Sequence, residues 1–77
     1  MTKNDFIREL EAMMTLPPNA LSESTPLSKV PQWDSMETLN YVVLVKEKFD
    51  KIVDGADVAK ARTVTDLVTL VGDALEG

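Results

Sequence analysis

WDSMETLNYVVLVKEKFD, running from Trp33 to Asp50, is the longest apolar segment of the chain that keeps a helical period. Asp34 stands where a carboxylate can accept from the free amides of a first turn, and Glu37 answers from three residues on. A helix is therefore predicted from Asp34 to about Phe49. At about 100° per residue, Tyr41, Val42, Val45, Phe49 and Ile52 fall on one side and form a core stripe. Met36, Leu39 and Val43 fall almost opposite, at i, i+3 and i+7, with Asn40 and Glu47 beside them. One helix thus carries two apolar faces. A small domain buries one face well, so the second is a docking surface or lid, or it is covered by a neighbouring short helix and loop. Ser35 occupies the first turn, just after the cap. A serine there is ordinarily a solvated or capping hydroxyl, but a phosphate esterified to it would meet unpaired N–H groups and the positive end of the helix dipole.

On the N-terminal side, Phe6, Ile7, Leu10, Met13 and Met14 recur at helical spacing, with Thr2 and Asp5 placed as a capping box, and predict a helix from about Lys3 to Thr15. Pro17-Pro18 stops it. The Pro- and Ser-rich connection from Pro17 to Trp33 exceeds the ~12–15 residues of an ordinary loop, and its Leu21, Leu27, Val30 and Trp33 argue that it packs on the body. Trp33 is expected to be a loop anchor or hydrophobic staple. On the C-terminal side a short helix is predicted from about Gly55 to Ala61, capped by Asp54, with Val58 and Ala61 inward. A last helix starts after Thr63, with Asp66 completing another capping pair, and buries Val64, Leu67, Val68, Val71 and Leu75. No period-2 alternation is sustained. The expected fold is all-α: one domain, residues 1–77, forming a small four-helix bundle with a long first loop and a short third helix.

Composition narrows the chemistry. The 77 residues make one small core, and a cleft with its own lid would strain it. With no Cys there is neither a disulfide nor a thiolate nucleophile, and with no His the commonest general base and metal ligand is missing, so neither a catalytic residue nor a metal site is expected. A nucleophilic Ser35 would need a base beside it, and the nearest lysines in sequence are Lys29 and Lys46. The net charge of −5 and pI near 4.5 disfavour nucleic acid and anionic membranes and favour partners with basic patches. No apolar run approaches the ~20 residues of a membrane span and no signal peptide is visible, so membrane insertion is not expected and the cytoplasm is the expected address.

The run Trp33-Asp34-Ser35-Met36-Glu37-Thr38-Leu39, followed by Val42-Val43-Leu44-Val45 and Glu47-Lys48-Phe49-Asp50, resembles the Asp-Ser-Leu region and second helix of acyl carrier proteins. Thr63-Val64-Thr65-Asp66-Leu67 resembles the opening of their last helix, and the spacing between the two blocks matches. The resemblance covers the chain from about Leu21 onward. It implies that a phosphopantetheinyl transferase, using coenzyme A and magnesium, attaches 4′-phosphopantetheine to Ser35, whose terminal thiol then holds acyl groups as thioesters. It also implies a non-enzymatic carrier that presents its cargo to loading, elongating or transferring enzymes, with Asp34, Met36, Glu37, Leu39, Val43 and Glu47 expected at the docking surface. The short chain suggests a monomeric, free-standing carrier, and a domain excised from a megasynthase would look similar. An acyl cavity is expected among Leu44, Val45, Val58, Ala61 and Leu67.

Departures from that pattern bear on the pathway. Gln32-Trp33 stand where fatty-acid carriers have a small Gly-Ala-like pair, and Met36 replaces a leucine. Asn40, Lys46 and Lys48 occupy positions that are acidic in the common pattern. The docking charge is mixed, which favours a dedicated route (a specialised lipid, a polyketide, or an aminoacyl or peptidyl pathway) over general fatty-acid synthesis. The rival reading is a carrier-like adaptor whose Ser35 is never modified and whose Met36-Leu39-Val43 stripe binds a partner helix.

Overall fold

The computed structural model describes residues 1–75, which fold into four helices with no strand among the described residues: α1 (Lys3–Met13), α2 (Ser35–Phe49), α3 (Gly55–Ala59) and α4 (Val64–Val71). Two short 3₁₀ turns accompany them, Leu27–Lys29 in the long connection and Gly72–Ala74 after α4. The all-α small bundle expected from periodicity is what forms.

Local chemistry sets the helix ends. Thr2 Oγ1 accepts from the Asp5 amide at 3.1 Å while Asp5 Oδ2 accepts from the Thr2 amide at 3.2 Å, and Thr63 and Asp66 repeat the reciprocal pair at α4. α1 stops two residues short of the expected Thr15. Thr15 takes a left-handed φ of +58°, its amide donates to the Ala12 carbonyl at 3.1 Å, and the Leu16 amide reaches back to the Glu11 carbonyl at 2.8 Å. That is a Schellman closure built on a β-branched residue instead of the usual glycine. α3 ends at Ala59, also two residues early, and Asp54 caps it by accepting from the Ala56 amide at 2.9 Å.

The core joins Phe6, Ile7 and Leu10 of α1, Tyr41 and Val45 of α2, Val58 of α3, and Val64, Leu67, Val68 and Val71 of α4. Phe6 is the hub of the aromatic part, edge-on to Tyr41 at 6.0 Å and to Phe49 at 5.6 Å. Burial pushes the Tyr41 phenol well above its ordinary pKa, and its hydroxyl donates to the Leu67 carbonyl, tying α2 to α4. Ala61 and Leu75, expected inward, are half-buried at the margin, and Leu75 lies beyond α4.

Two of the expected α2 features are corrected. Ile52 is not core: it is 80% exposed, because Asp50 adopts a left-handed φ of +52° that ends the helix and breaks the 100° register two residues before Ile52. Glu37 does not close a capping box, since its Oε1 accepts from Asn40 Nδ2 at 2.7 Å instead of from the cap amide.

The long connection lies on the body, as Leu21, Leu27 and Val30 are buried. Polar bonds pin it at both ends. The Leu27 amide donates to the Arg62 carbonyl at 2.8 Å, the Val64 amide to the Thr25 carbonyl at 3.1 Å, and the Thr65 amide to the Glu23 carbonyl at 2.9 Å. At the other end Glu11, only 2% exposed, accepts from the Leu21 amide at 2.8 Å and lies 2.9 Å from Arg8 Nε. Arg8 donates to the Leu21 carbonyl at 3.0 Å and to Asn19 Oδ1. A buried carboxylate is tolerated here because both oxygens have partners.

Candidate functional site

The N-terminus of α2 is fixed by Asp34, whose extended backbone (φ −139°, ψ −171°) turns the chain into the helix. Its Oδ1 accepts from the Glu37 amide at 3.0 Å, and its carbonyl accepts from the Thr38 amide at 3.0 Å and the Thr38 hydroxyl at 3.2 Å. Trp33, one residue earlier, is half-buried and packs edge-on against Tyr41 at 6.3 Å, so the approach to the cap is held by the core. The anchor expected of Trp33 is what the structure shows.

Ser35 is the first residue of α2 and is exposed, and among the described residues no side chain is hydrogen-bonded to its hydroxyl. The amides of Ser35 and Met36 precede any intrahelical acceptor, so they remain available at the positive end of a fifteen-residue helix. Asp34 uses its carboxylate on Glu37 and leaves those two amides open. The accessible hydroxyl offers a point of esterification, and the two backbone N–H groups beside it are the donors a phosphate there would meet.

Beside it runs the second apolar face. Met36 is 66%, Leu39 64% and Val43 53% exposed, so the stripe is open to solvent. Neither α3 nor the long connection covers the stripe. Ile52 adds to this face in a way the spacing missed: with Val42, Val43 and the stems of Lys46 and Glu47 it walls a shallow, mostly apolar hollow. Val43 and Glu47 also border a second hollow, shared with Asn40, Leu44 and the Glu9, Ala12 and Met13 side of α1.

The charged residues divide. Glu47 is exposed on the rim of the stripe, whereas Glu37 is half-buried and engaged with Asn40. Lys46 is paired with Asp50 one turn on, so its charge is matched within the helix. Lys48 is exposed. Of the six positions expected at a docking surface, Met36, Leu39, Val43 and Glu47 are exposed along α2, Asp34 is the cap, and Glu37 is half-buried and bonded to Asn40.

The five residues expected around an acyl cavity do not share one opening. Val45, Val58 and Leu67 are fully buried core. Leu44 borders the hollow against α1, while Ala61 lines a separate groove with Leu27, Val30, Trp33 and Arg62. No described helix is long and apolar enough to cross a membrane. Compared with models of known protein families, with curated proteins and with solved structures, the chain matches none.

Proposed function

We propose that this chain is an acyl carrier protein of the phosphopantetheine-dependent kind, a four-helix carrier domain that takes 4′-phosphopantetheine from coenzyme A on Ser35. The observation that carries the reading is the exposed Ser35 hydroxyl on the first turn of α2 with the unpartnered Met36-Leu39-Val43 face beginning at the next residue. The bound group supplies the terminal thiol, and hence the thioester, that a chain without cysteine cannot form.

Each residue has a physical task in this scheme. Asp34 fixes where α2 starts and leaves the Ser35 and Met36 amides free to face a phosphodiester. Met36, Leu39 and Val43 give enzymes an apolar surface to dock on, with Glu47 at its edge. The chain itself performs no chemistry: with no histidine, the base that removes the Ser35 proton comes from the transferase. Loading, elongating or transferring enzymes then read the same face. The mixed charge around it favours a dedicated lipid, polyketide or aminoacyl route over general fatty-acid synthesis.

The test is intact mass after incubation with a broad-specificity phosphopantetheinyl transferase, coenzyme A and magnesium. One phosphopantetheine per chain, absent from Ser35→Ala, is expected. Attachment that persists in Ser35→Ala, or maps to Ser22, Ser24 or Ser28, would overturn the assignment. The exposed stripe also suits an unmodified adaptor, and that reading predicts no mass change with any transferase.

A further inference from the structure

The methionine inventory sets Met36 apart. The chain has four methionines. Met14 is 4% exposed, and Met1 and Met13 are partly buried against the core, whereas Met36 is 66% exposed. It also heads the stripe on which the proposed partners dock and follows Ser35 directly. We propose that Met36 is a reversible oxidation site, and that its sulfoxide slows the use of Ser35 by docking enzymes. The inference rests on the carrier reading above and adds a regulation to the same face.

The chemistry balances with hydrogen peroxide as the oxidant. A lone pair of the Met36 thioether attacks one peroxide oxygen, the S–O bond forms, and the O–O bond breaks. The departing hydroxide takes up the proton left on the transferred oxygen, so the products are methionine sulfoxide and water. Sulfur loses two electrons and peroxide gains them. Access selects the site: peroxide reaches Met36 from solvent, while Met14 is sealed by the core.

The consequence follows from position. A thioether is a soft apolar contact that adapts to a partner surface, and the sulfoxide is a strong dipole that must keep a hydrogen-bond partner or lose it on docking. The change falls at the end of the stripe nearest Ser35, where a transferase must come close to reach the hydroxyl. The fold is spared, because Met36 contributes little to the core. Helix content and melting temperature are therefore expected to stay as they were while partner use falls.

The experiment treats the full apo chain with graded hydrogen peroxide, removes the excess with catalase, and maps sulfoxide by peptide mass spectrometry. Each sample is then given transferase and coenzyme A, and the initial rate of Ser35 modification is read by intact mass. Met36 is expected to oxidise before Met1, Met13 and Met14, and the oxidised chain to be modified about three- to tenfold more slowly, the effect of weakening one interface anchor. Methionine sulfoxide reductases supplied with a dithiol, which is oxidised to its disulfide as the sulfoxide oxygen leaves as water, should restore the rate. Met36→Leu, compared with its own untreated sample, should lose the peroxide effect. Oxidised wild type modified as fast as untreated would overturn the inference and leave the carrier reading standing, as would an equal slowing of peroxide-treated Met36→Leu. A chain that takes no phosphopantetheine before oxidation overturns both.

Discussion

Leu39→Ala removes a large apolar side chain from the middle of α2, and its cost separates a docking face from a core face. Full burial of a leucine side chain is worth about 1.5–3 kcal/mol. Leu39 keeps 64% of its surface in water, so only about a third of that is engaged, roughly 0.5–1 kcal/mol. Alanine's better helix propensity returns a few tenths, leaving a net loss below ~1 kcal/mol. Leu10, wholly buried on α1, is the matched control: Leu10→Ala loses contacts on every side and should cost about 2–5 kcal/mol. At about 4–8 °C per kcal/mol for a domain of this size, Leu39→Ala should melt within a few degrees of wild type and Leu10→Ala ten degrees or more lower. Thermal melting by circular dichroism gives this comparison, and the initial rate of Ser35 modification gives the functional one. Leu39→Ala should slow modification several-fold while staying folded. A Leu39→Ala loss as large as that of Leu10→Ala, with modification of the folded fraction unchanged, would show that α2 is rotated and the stripe is core.

Glu11→Ala should destabilise by about 3 kcal/mol, because it strands the buried Leu21 amide and removes the carboxylate beside Arg8; denaturant unfolding measures it, and a loss under ~1 kcal/mol would contradict the loop-pinning role. Stability should fall at both ends of the pH scale. Asp5 and Asp66 are held below the ordinary 3.8, Asp5 first by the Thr2 amide and Asp66 first by the Arg62 amide, so their contribution is present above that value and is lost as pH falls through their lower folded values. Burial raises the Tyr41 phenol, so its contribution is present below pH 10.0 and is lost as pH rises from there toward its folded value; phenolate absorbance appearing in the still-folded chain near pH 10 would contradict this. Asn40→Glu with Lys46→Glu should improve use by general fatty-acid synthase enzymes several-fold at low ionic strength and little at high salt, with a stability loss because Asp50 loses Lys46 and Glu37 loses its Asn40 donor. Efficient elongation of the native sequence, with no salt-dependent gain, would place it in primary fatty-acid synthesis.

Local signals were readable and non-local ones were not. Thr2 with Asp5, Asp34 with Glu37, and Thr63 with Asp66 lie within one turn of each other, so the three helix starts follow from spacing. The two faces of α2 follow from a period that holds as long as the backbone stays helical. It stops holding at Asp50, so the same wheel places Ile52 in the core although it lies on the exposed side. Periodicity also left open whether Met36, Leu39 and Val43 were covered, because what lies over a helix depends on where the rest of the chain packs. Glu11 carried a signal of its own: it sits on the wheel beside Ile7 and Met14, inside the buried stripe of α1. Its partners, Leu21 and Asn19-bound Arg8, come from the loop closure and are invisible to spacing. At the site, Ser35 and its cap were local and readable. The half-burial of Glu37 and the hollow under Ile52 required the packed structure.

Whether Ser35 carries phosphopantetheine is read from intact mass. The full chain, incubated with a broad-specificity transferase, coenzyme A and magnesium, should gain one phosphopantetheine mapped by tandem mass spectrometry to Ser35, and Ser35→Ala, folded as wild type, should gain none. An unchanged mass with several transferases, or a group mapped to another serine, would show that Ser35 is not a phosphopantetheine carrier.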